Sequence, residues 1–144
     1  MIKIAHRGNI YGPSTMENHP DHILSAINLG YDVEIDVWNI DNLYYLGHDK
    51  PKFLIDFNFL ESISNNAWVH CKNLSALTKL SMINNINCFW HQQDDHTLTS
   101  MGYVWTYPGK SCEERSILVY LGMPNKDILS KNFYGICSDF VGNF

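Results

Sequence analysis

The alternation of short β-rich runs with helical patterns is the feature of this 144-residue sequence that most constrains its fold. An alternating run at 2–6 is followed by a helical pattern at 20–29, and a second run at 31–38 precedes a helix that Asp56 can cap. The further predicted elements are a helix at 74–84 and strands at 67–72, 86–91, 103–107, 117–121 and 134–138. Strands that alternate with helices indicate a parallel sheet with covered faces, either doubly wound or closed into a barrel.

Length and charge limit the folds and the binding partners that this chain can have. A chain of 144 residues predicts one domain over 1–144, and it counts against a full-sized (β/α)₈ barrel, which typically needs about 250 residues. The net charge is −5 and no Lys/Arg cluster stands out, so we expect no nucleic-acid partner. The sequence contains no apolar run near the ~20 residues of a membrane span, so we expect no stable membrane insertion. Four widely spaced cysteines without a CxxC pair predict a cytoplasmic protein.

Ionisable side chains share one face of a predicted strand. In the strand at 31–38, Val33, Ile35 and Val37 lie on one side, and Glu34 and Asp36 lie on the other. The apolar side is expected to pack on helices, which leaves the two carboxylates pointing inward.

A predicted hairpin adds a histidine to these carboxylates. The dipeptide at 41–42 is Asp-Asn, which suits a two-residue turn between the β-rich runs at 37–40 and 43–46. If residue 40 pairs with residue 43, residue 36 pairs with residue 47, and His48 returns beside Glu34 and Asp36. With the polar sides of the strands at 2–6 and 67–72, the sequence predicts one cluster: His6, Glu34, Asp36, His48, His70 and Lys72.

This cluster indicates a metal-assisted reaction on an anionic substrate. Glu34 and Asp36 offer the hard oxygen ligands that suit Mg²⁺ or Ca²⁺. Two histidines on opposite sides of a scissile bond can act as general base and general acid. Arg7 can hold phosphate oxygens through its guanidinium fork, and Lys72 can hold them as a point charge.

The motifs resemble the signature series of the glycerophosphodiester phosphodiesterase family. The matching segments are His6-Arg7-Gly8-Asn9, Glu17-Asn18, Glu34-Ile35-Asp36-Val37, Gly47-His48-Asp49, Trp68-Val69-His70-Cys71-Lys72 and Tyr134-Gly135-Ile136-Cys137-Ser138-Asp139. The resemblance is dense over 4–51 and thin over 73–133. It implies a compact TIM-type (β/α) barrel with shortened helices and room for fewer than eight regular units, and an open pocket, because the usual insertion after His48 and Asp49 is lacking.

The resemblance also implies roles for individual residues. His6 and His48 would be the catalytic acid and base, and Glu34 and Asp36 would bind a divalent cation. The family's third carboxylate ligand is His70 here, so Mn²⁺ or Zn²⁺ joins Mg²⁺ and Ca²⁺ as a candidate cofactor, unless His70 contacts phosphate instead.

Other polar and aromatic residues are candidates around this centre. The substrate-binding candidates are Arg7, Lys72, His91 and Trp105, and the candidates that support the catalytic residues are Glu17, Asn18 and Asp49. Simpler interpretations remain open for several of them: Asn18 could cap the first helix, Lys72 could be a solvated strand end, and Trp105 could belong to the core.

The sequence therefore predicts a metal-dependent phosphodiesterase acting on a small, glycerophosphodiester-like molecule. One alternative is a phospholipase-D-like lyase that releases a cyclic phosphate. The other is a non-catalytic phosphate-binding relic of the same fold, which the replacement of the third carboxylate by His70 keeps open.

Overall fold

The computed structural model describes residues 1–144 and is dominated by β-strands. The strands are β1 (Ile2–His6), β2 (Asp32–Ile40), β3 (Leu43–Leu46), β4 (Phe53–Ile55), β5 (Ala67–Cys71), β6 (Asn87–Phe89), β7 (His96–Leu98), β8 (Val104–Thr106), β9 (Ser116–Val119) and β10 (Gly135–Ser138). The helices are α1 (Pro20–Asn28), α2 (Phe57–Ile63), α3 (Leu74–Leu80), α4 (Lys126–Leu129) and a 3₁₀ turn at Val141–Asn143. None of the helices has the length and apolar character that a membrane crossing requires.

The strands form one mixed sheet that curls. Seven of them are parallel, in the order β6-β5-β2-β1-β10-β9-β8, whereas β3, β4 and β7 are antiparallel to their neighbours. The curl brings distant strands together, because the ring of Trp105 on β8 lies 4.4 Å from that of Phe89 on β6 and 6.2 Å from that of Trp68 on β5. The free edge of β6 is covered by Ser100, whose backbone N–H donates to the carbonyl of Cys88 (2.8 Å).

Two apolar clusters occupy the two faces of the sheet. The outer face of β2 presents Val33, Ile35 and Val37 to helical side chains such as Ile23 and Leu60, and all five are almost completely buried. The inner cluster lies inside the curl and is drawn from six strands: Ile4, Trp68, Phe89, Trp105, Ile117, Val119 and Cys137. The prediction that Glu34 and Asp36 lie opposite the helix-covered face of β2 agrees with this arrangement.

The predicted TIM-type (β/α) barrel is wrong. The chain forms a curled, mixed half-barrel sheet, and only 21% of its residues are helical. The physical reason lies in the second half of the chain, where β7, β8, β9 and β10 are joined by loops and by the four-residue α4. Segments without a helical apolar stripe cannot supply the outer ring of helices that a TIM barrel needs.

The hairpin between β2 and β3 forms in the predicted register. Ile40 pairs with Leu43 and Val37 pairs with Leu46. The two turn residues, Asp41 and Asn42, have φ values of 49° and 65°, the left-handed backbone that a type I′ turn requires. This pairing directs the chain back along β2 toward the carboxylates.

Candidate functional site

The parallel register brings four of the candidate residues together on the inner face. His6 at the end of β1 pairs with Glu34 on β2, and Asp36 on β2 pairs with His70 on β5. These strand ends open into a cavity of about 440 Å³. Its lining residues are His6, Arg7, Glu34, His48, His70, Lys72, His91, Gln92, Trp105, Tyr107, Pro108, Val119 and Leu121.

Glu34, Asp36 and His70 form the candidate metal centre. One potential ligand atom from each lies within 4.8 Å of the other two. The Nδ1 atom of His70 is 3.1 Å from Oδ1 of Asp36 and 3.8 Å from Oε1 of Glu34. Oδ1 of Asp36 is buried and has no hydrogen bond. Two ligands about 2.1 Å from one ion and at right angles lie ~3 Å apart, so this pair fits a shared cation.

The tautomer of His70 is set by a backbone carbonyl. Nε2 of His70 lies 2.9 Å from the carbonyl oxygen of His91, which cannot donate, so Nε2 carries the proton. In the neutral ring the lone pair is then on Nδ1, which faces the two carboxylates. A carbonyl that fixes the outer nitrogen of an imidazole in this way is typical of metal-binding histidines.

The pKa values of the two carboxyl groups are shifted in opposite directions. Burial raises the pKa of Glu34, and the neighbouring negative charge of Asp36 raises it further. Burial also acts to raise the pKa of Asp36, but His70, Lys72 and Arg7 outweigh it and hold that pKa well below its ordinary value. Two carboxyl groups with separated pKa values on one strand are characteristic of functional sites.

Asp36 is held in place on several sides. The side chain of Asn18 donates to Oδ2 of Asp36 (2.9 Å) and accepts from the Asp36 backbone N–H (2.9 Å). Nε of Arg7 lies 3.3 Å from Oδ2, and Nζ of Lys72 lies 3.5 Å from Oδ1. Asn18 therefore does not cap α1; the N-cap is His19, whose ring accepts from the Asp21 N–H.

His6 is oriented by a residue that the sequence argument did not select. Nδ1 of His6 is 2.8 Å from Oδ1 of Asp139, which lies just after β10. Burial lowers the pKa of His6, but Asp139 and Glu34 outweigh it, so the net pKa is raised above its ordinary value. Because the carboxylate accepts the Nδ1 proton, the Nε2 atom of the neutral ring is left with the lone pair, 3.9 Å from Oε2 of Glu34.

A buried amide extends this pair toward the first loop. Nδ2 of Asn9 donates to Asp139 (2.7 Å) and to Oε1 of Glu17 (3.0 Å), and the other oxygen of Glu17 accepts from Arg7 (3.0 Å). Glu17 thus holds the Arg7 guanidinium through an ion pair. Asn9 and Asp139 were missed as site residues, although both lie inside the motifs that carried the resemblance.

Arg7 itself adopts a left-handed backbone with φ of 53°. Its backbone N–H donates to the main-chain carbonyl of Glu34 (3.0 Å) and to its Oε2 atom (3.2 Å). A non-glycine residue in this conformation is strained, and such strain is concentrated at functional sites. The guanidinium is anchored by Glu17 and Asp36, so it lines the cavity in a fixed position.

His48 reaches the cavity from the hairpin. The indole N–H of Trp38 donates to the carbonyl of Gly47 (2.6 Å), and Gly47 has a φ of 144°. A Cβ at position 47 would lie 2.3 Å from the carbonyl oxygen of Lys50, so this corner needs glycine. The His48 side chain is 40% exposed and its Nδ1 lies 2.7 Å from Oδ1 of Asp49. His48 therefore lines the same cavity as His6 from a more open position.

The later candidates, His91 and Trp105, complete the lining of the cavity. His91 lines it, and its Nδ1 atom is buried without a hydrogen bond. Burial, followed by the nearby His70, lowers the pKa of His91. Trp105 is only 4% exposed and stacks on Phe89, so it belongs to the inner cluster and meets the cavity at its base.

Comparisons with known proteins identify no relative. No family model, no curated protein and no solved structure matches the chain.

Proposed function

We propose that this protein is a metal-dependent phosphodiesterase that cleaves a glycerophosphodiester-like molecule by two-histidine acid/base chemistry. The observation that carries the proposal is that Glu34 and His70 line the cavity beside His6, with the buried Asp36 only 3.1 Å from His70. The motif resemblance to glycerophosphodiester phosphodiesterases supports the same chemistry. We also propose a cytoplasmic location, which the four unpaired cysteines support.

Cationic side chains supply the proposed binding site for the phosphate. Arg7 and Lys72 line the cavity on either side of Asp36. A guanidinium can bind two phosphate oxygens at once, and an ammonium adds a point charge. A phosphodiester placed between them would lie next to the carboxylates of the candidate metal centre.

The cofactor we propose is a divalent cation held by Glu34, Asp36 and His70. Two carboxylates suit Mg²⁺ or Ca²⁺, and the imidazole makes Mn²⁺ or Zn²⁺ an alternative. When bound, such an ion would neutralise charge on the phosphoryl oxygens.

The two histidines divide the proton transfers in this proposal. His6 accepts a proton on Nε2 from the attacking hydroxyl, which belongs to water or to the substrate, and Asp139 stabilises the resulting imidazolium. His48 donates a proton to the leaving alkoxide from the more open side. The new P–O bond forms as the bond to the leaving oxygen breaks, so charge and protons balance.

A non-catalytic phosphate-binding protein is the second candidate. It is favoured by the ion pairs of Asp36, whose charge already faces Arg7, His70 and Lys72 without any metal. Such pairing would suit a site that only binds anions. The Asp139–His6 pair argues for catalysis, because binding alone does not need an oriented proton acceptor.

Turnover of a phosphodiester panel with Mg²⁺, Ca²⁺, Mn²⁺ or Zn²⁺ tests the proposal. We expect metal-dependent release of an alcohol, and we expect His6→Ala and His48→Ala each to abolish it. The matched control is His96→Ala, an exposed histidine on β7 outside the cavity, which should keep the wild-type rate. A cyclic phosphate that persists would indicate the lyase. Phosphate binding without turnover under any metal would contradict the enzyme and support the binding protein.

A further inference from the structure

The two walls of the cavity differ in chemistry. The wall at the ends of β1, β2 and β5 carries His6, Arg7, Glu34, His70 and Lys72, which are all the acidic and basic lining residues apart from the histidines His48 and His91. The opposite wall comes from β8, β9 and the loops that follow them. It consists of Trp105, Tyr107, Pro108, Val119 and Leu121.

The curl of the sheet places these two walls opposite each other. In the strand order β5-β2-β1-β10-β9-β8, β10 separates the charged strands from the apolar strands, and the curl brings β8 near β5, where the ring of Trp105 lies 6.2 Å from that of Trp68. Val119 and Trp105 are members of the inner apolar cluster. The apolar wall is therefore the end of the interior cluster that opens into the cavity.

The outer part of this wall is exposed. Tyr107 is 45% exposed and Leu121 is 39% exposed, although both line the cavity. The ring of Tyr107 lies 5.3 Å from that of His91, so an aromatic pair borders the apolar wall. Large apolar side chains left exposed inside a concave site are typical of surfaces that bury an apolar part of a ligand.

We propose that the substrate is a phosphodiester in which one of the two alcohols is apolar, either an aryl or an alkyl group. The inference rests on the proposed function, because the phosphate is placed on the charged wall. An apolar alcohol would then lie against Tyr107, Pro108, Val119 and Leu121. The side chains of Pro108, Val119 and Leu121 have no hydrogen-bonding group, so a polyhydroxylated alcohol in that position would leave its hydroxyls unpaired.

Binding of three phosphate monoesters by the metal-loaded protein tests this inference. The probes are methyl, phenyl and octyl phosphate, measured by calorimetry below the micelle-forming concentration. We expect phenyl and octyl phosphate to bind at least about tenfold more tightly than methyl phosphate, because each adds apolar surface that the wall can bury. A stronger gain for phenyl phosphate would identify an aryl alcohol, and a stronger gain for octyl phosphate a lipid-like chain.

Variants of the wall provide the control. The double variant Tyr107→Ser with Leu121→Ser is expected to reduce the ratio of affinities toward one. Leu98→Ser, which changes an exposed leucine on β7 outside the cavity, should preserve the ratio. Equal binding of the three probes would overturn the inference and leave the proposed phosphate site intact. Failure to bind any probe, together with no turnover, would contradict the proposed function as well.

Discussion

The orientation of the His6 imidazole by Asp139 leads to the first prediction. The carboxylate accepts from Nδ1, 2.8 Å away, and so leaves Nε2 as the proton acceptor. Asp139→Asn would remove the charge that stabilises the imidazolium and allow the wrong tautomer. We expect kcat to fall by roughly 100-fold, within the range that general base catalysis contributes, with little change in KM.

The control for this variant is another aspartate. Asp95→Asn changes a carboxylate that pairs with Lys110 at the surface, and it should leave both kinetic constants unchanged. Steady-state kinetics on the best substrate of the panel makes the comparison. A drop in kcat of the same size for both variants, or an unchanged kcat for Asp139→Asn, would contradict the positioning role.

The proposed role of His70 as a metal ligand leads to a second prediction. Its Nδ1 atom faces Asp36 and Glu34 with the tautomer set by the His91 carbonyl. His70→Ala should weaken the binding of every divalent cation, whereas His70→Glu should favour Mg²⁺ and Ca²⁺ over Zn²⁺, because it replaces nitrogen with a hard oxygen. Calorimetric titration with each ion measures both effects. Unchanged affinities in His70→Ala would show that this residue is not a ligand.

The sequence pattern identified site residues that lie close together in the chain, and it missed a residue that lies far from its partner. Glu34 and Asp36 could be selected because their face of β2 follows from local alternation. Asp139 could not be placed beside His6 in this way, because 133 positions separate the two and only the pairing of β1 with β10 joins them.

At the scale of single elements, Asn73 ties a helix to the central strand. Its side chain accepts from the Ala76 N–H as the N-cap of α3, and it also accepts from the Asn39 N–H (3.1 Å) and donates to the Asn39 carbonyl (2.8 Å). Asn73→Ala would remove the cap and leave backbone groups of buried Asn39 without partners. We expect the free energy of unfolding to fall by about 2–3 kcal/mol.

The N-cap of α4 is the matched comparison. Asn125 caps that helix through the Ile128 N–H, but the helix has four residues and none of them is buried. Asn125→Ala should therefore lower the free energy of unfolding by only about 1 kcal/mol or less. Urea denaturation of the two variants compares them directly. Equal losses would show that the contacts of Asn73 with β2 add no stability.

Most elements of the first half were predictable because their signals are local. Pro20 at the first position of α1 and Asp56 as the cap of α2 mark helix starts that the structure confirms. The short strands β4 and β7 were missed. Each has three residues and is defined by its antiparallel partner, β3 or β8, and by no periodicity of its own.

In the whole molecule, the sheet curls without the outer ring of helices that a TIM barrel has. The inner cluster fills the curl with large side chains such as Trp68, Phe89 and Trp105. Helices α1, α2 and α3 cover the outer face of the first half only, in accordance with the apolar stripes of the sequence. Strand alternation and the hairpin register therefore predicted which residues meet in the site, whereas the barrel architecture depended on helices that the later segments could not form.

The negative charge of Glu34 on β2 affects both folding and cation binding, which leads to a further prediction. Burial and the adjacent Asp36 both raise the pKa of Glu34, so the ionised form of this carboxyl is less favourable in the folded, metal-free protein than in the unfolded chain. A cation that binds only the folded state stabilises it by about 2.7 kcal/mol at 100 times its dissociation constant. Glu34→Gln should therefore raise the melting temperature in the presence of a chelator and lose most of the increase that the cation produces in the wild-type protein.

Glu61→Gln, an exposed change on α2, should alter neither value. Thermal unfolding at pH 7 with and without the cation makes the comparison, and a cation-induced increase in Glu34→Gln equal to that of the wild type would exclude Glu34 from the metal centre.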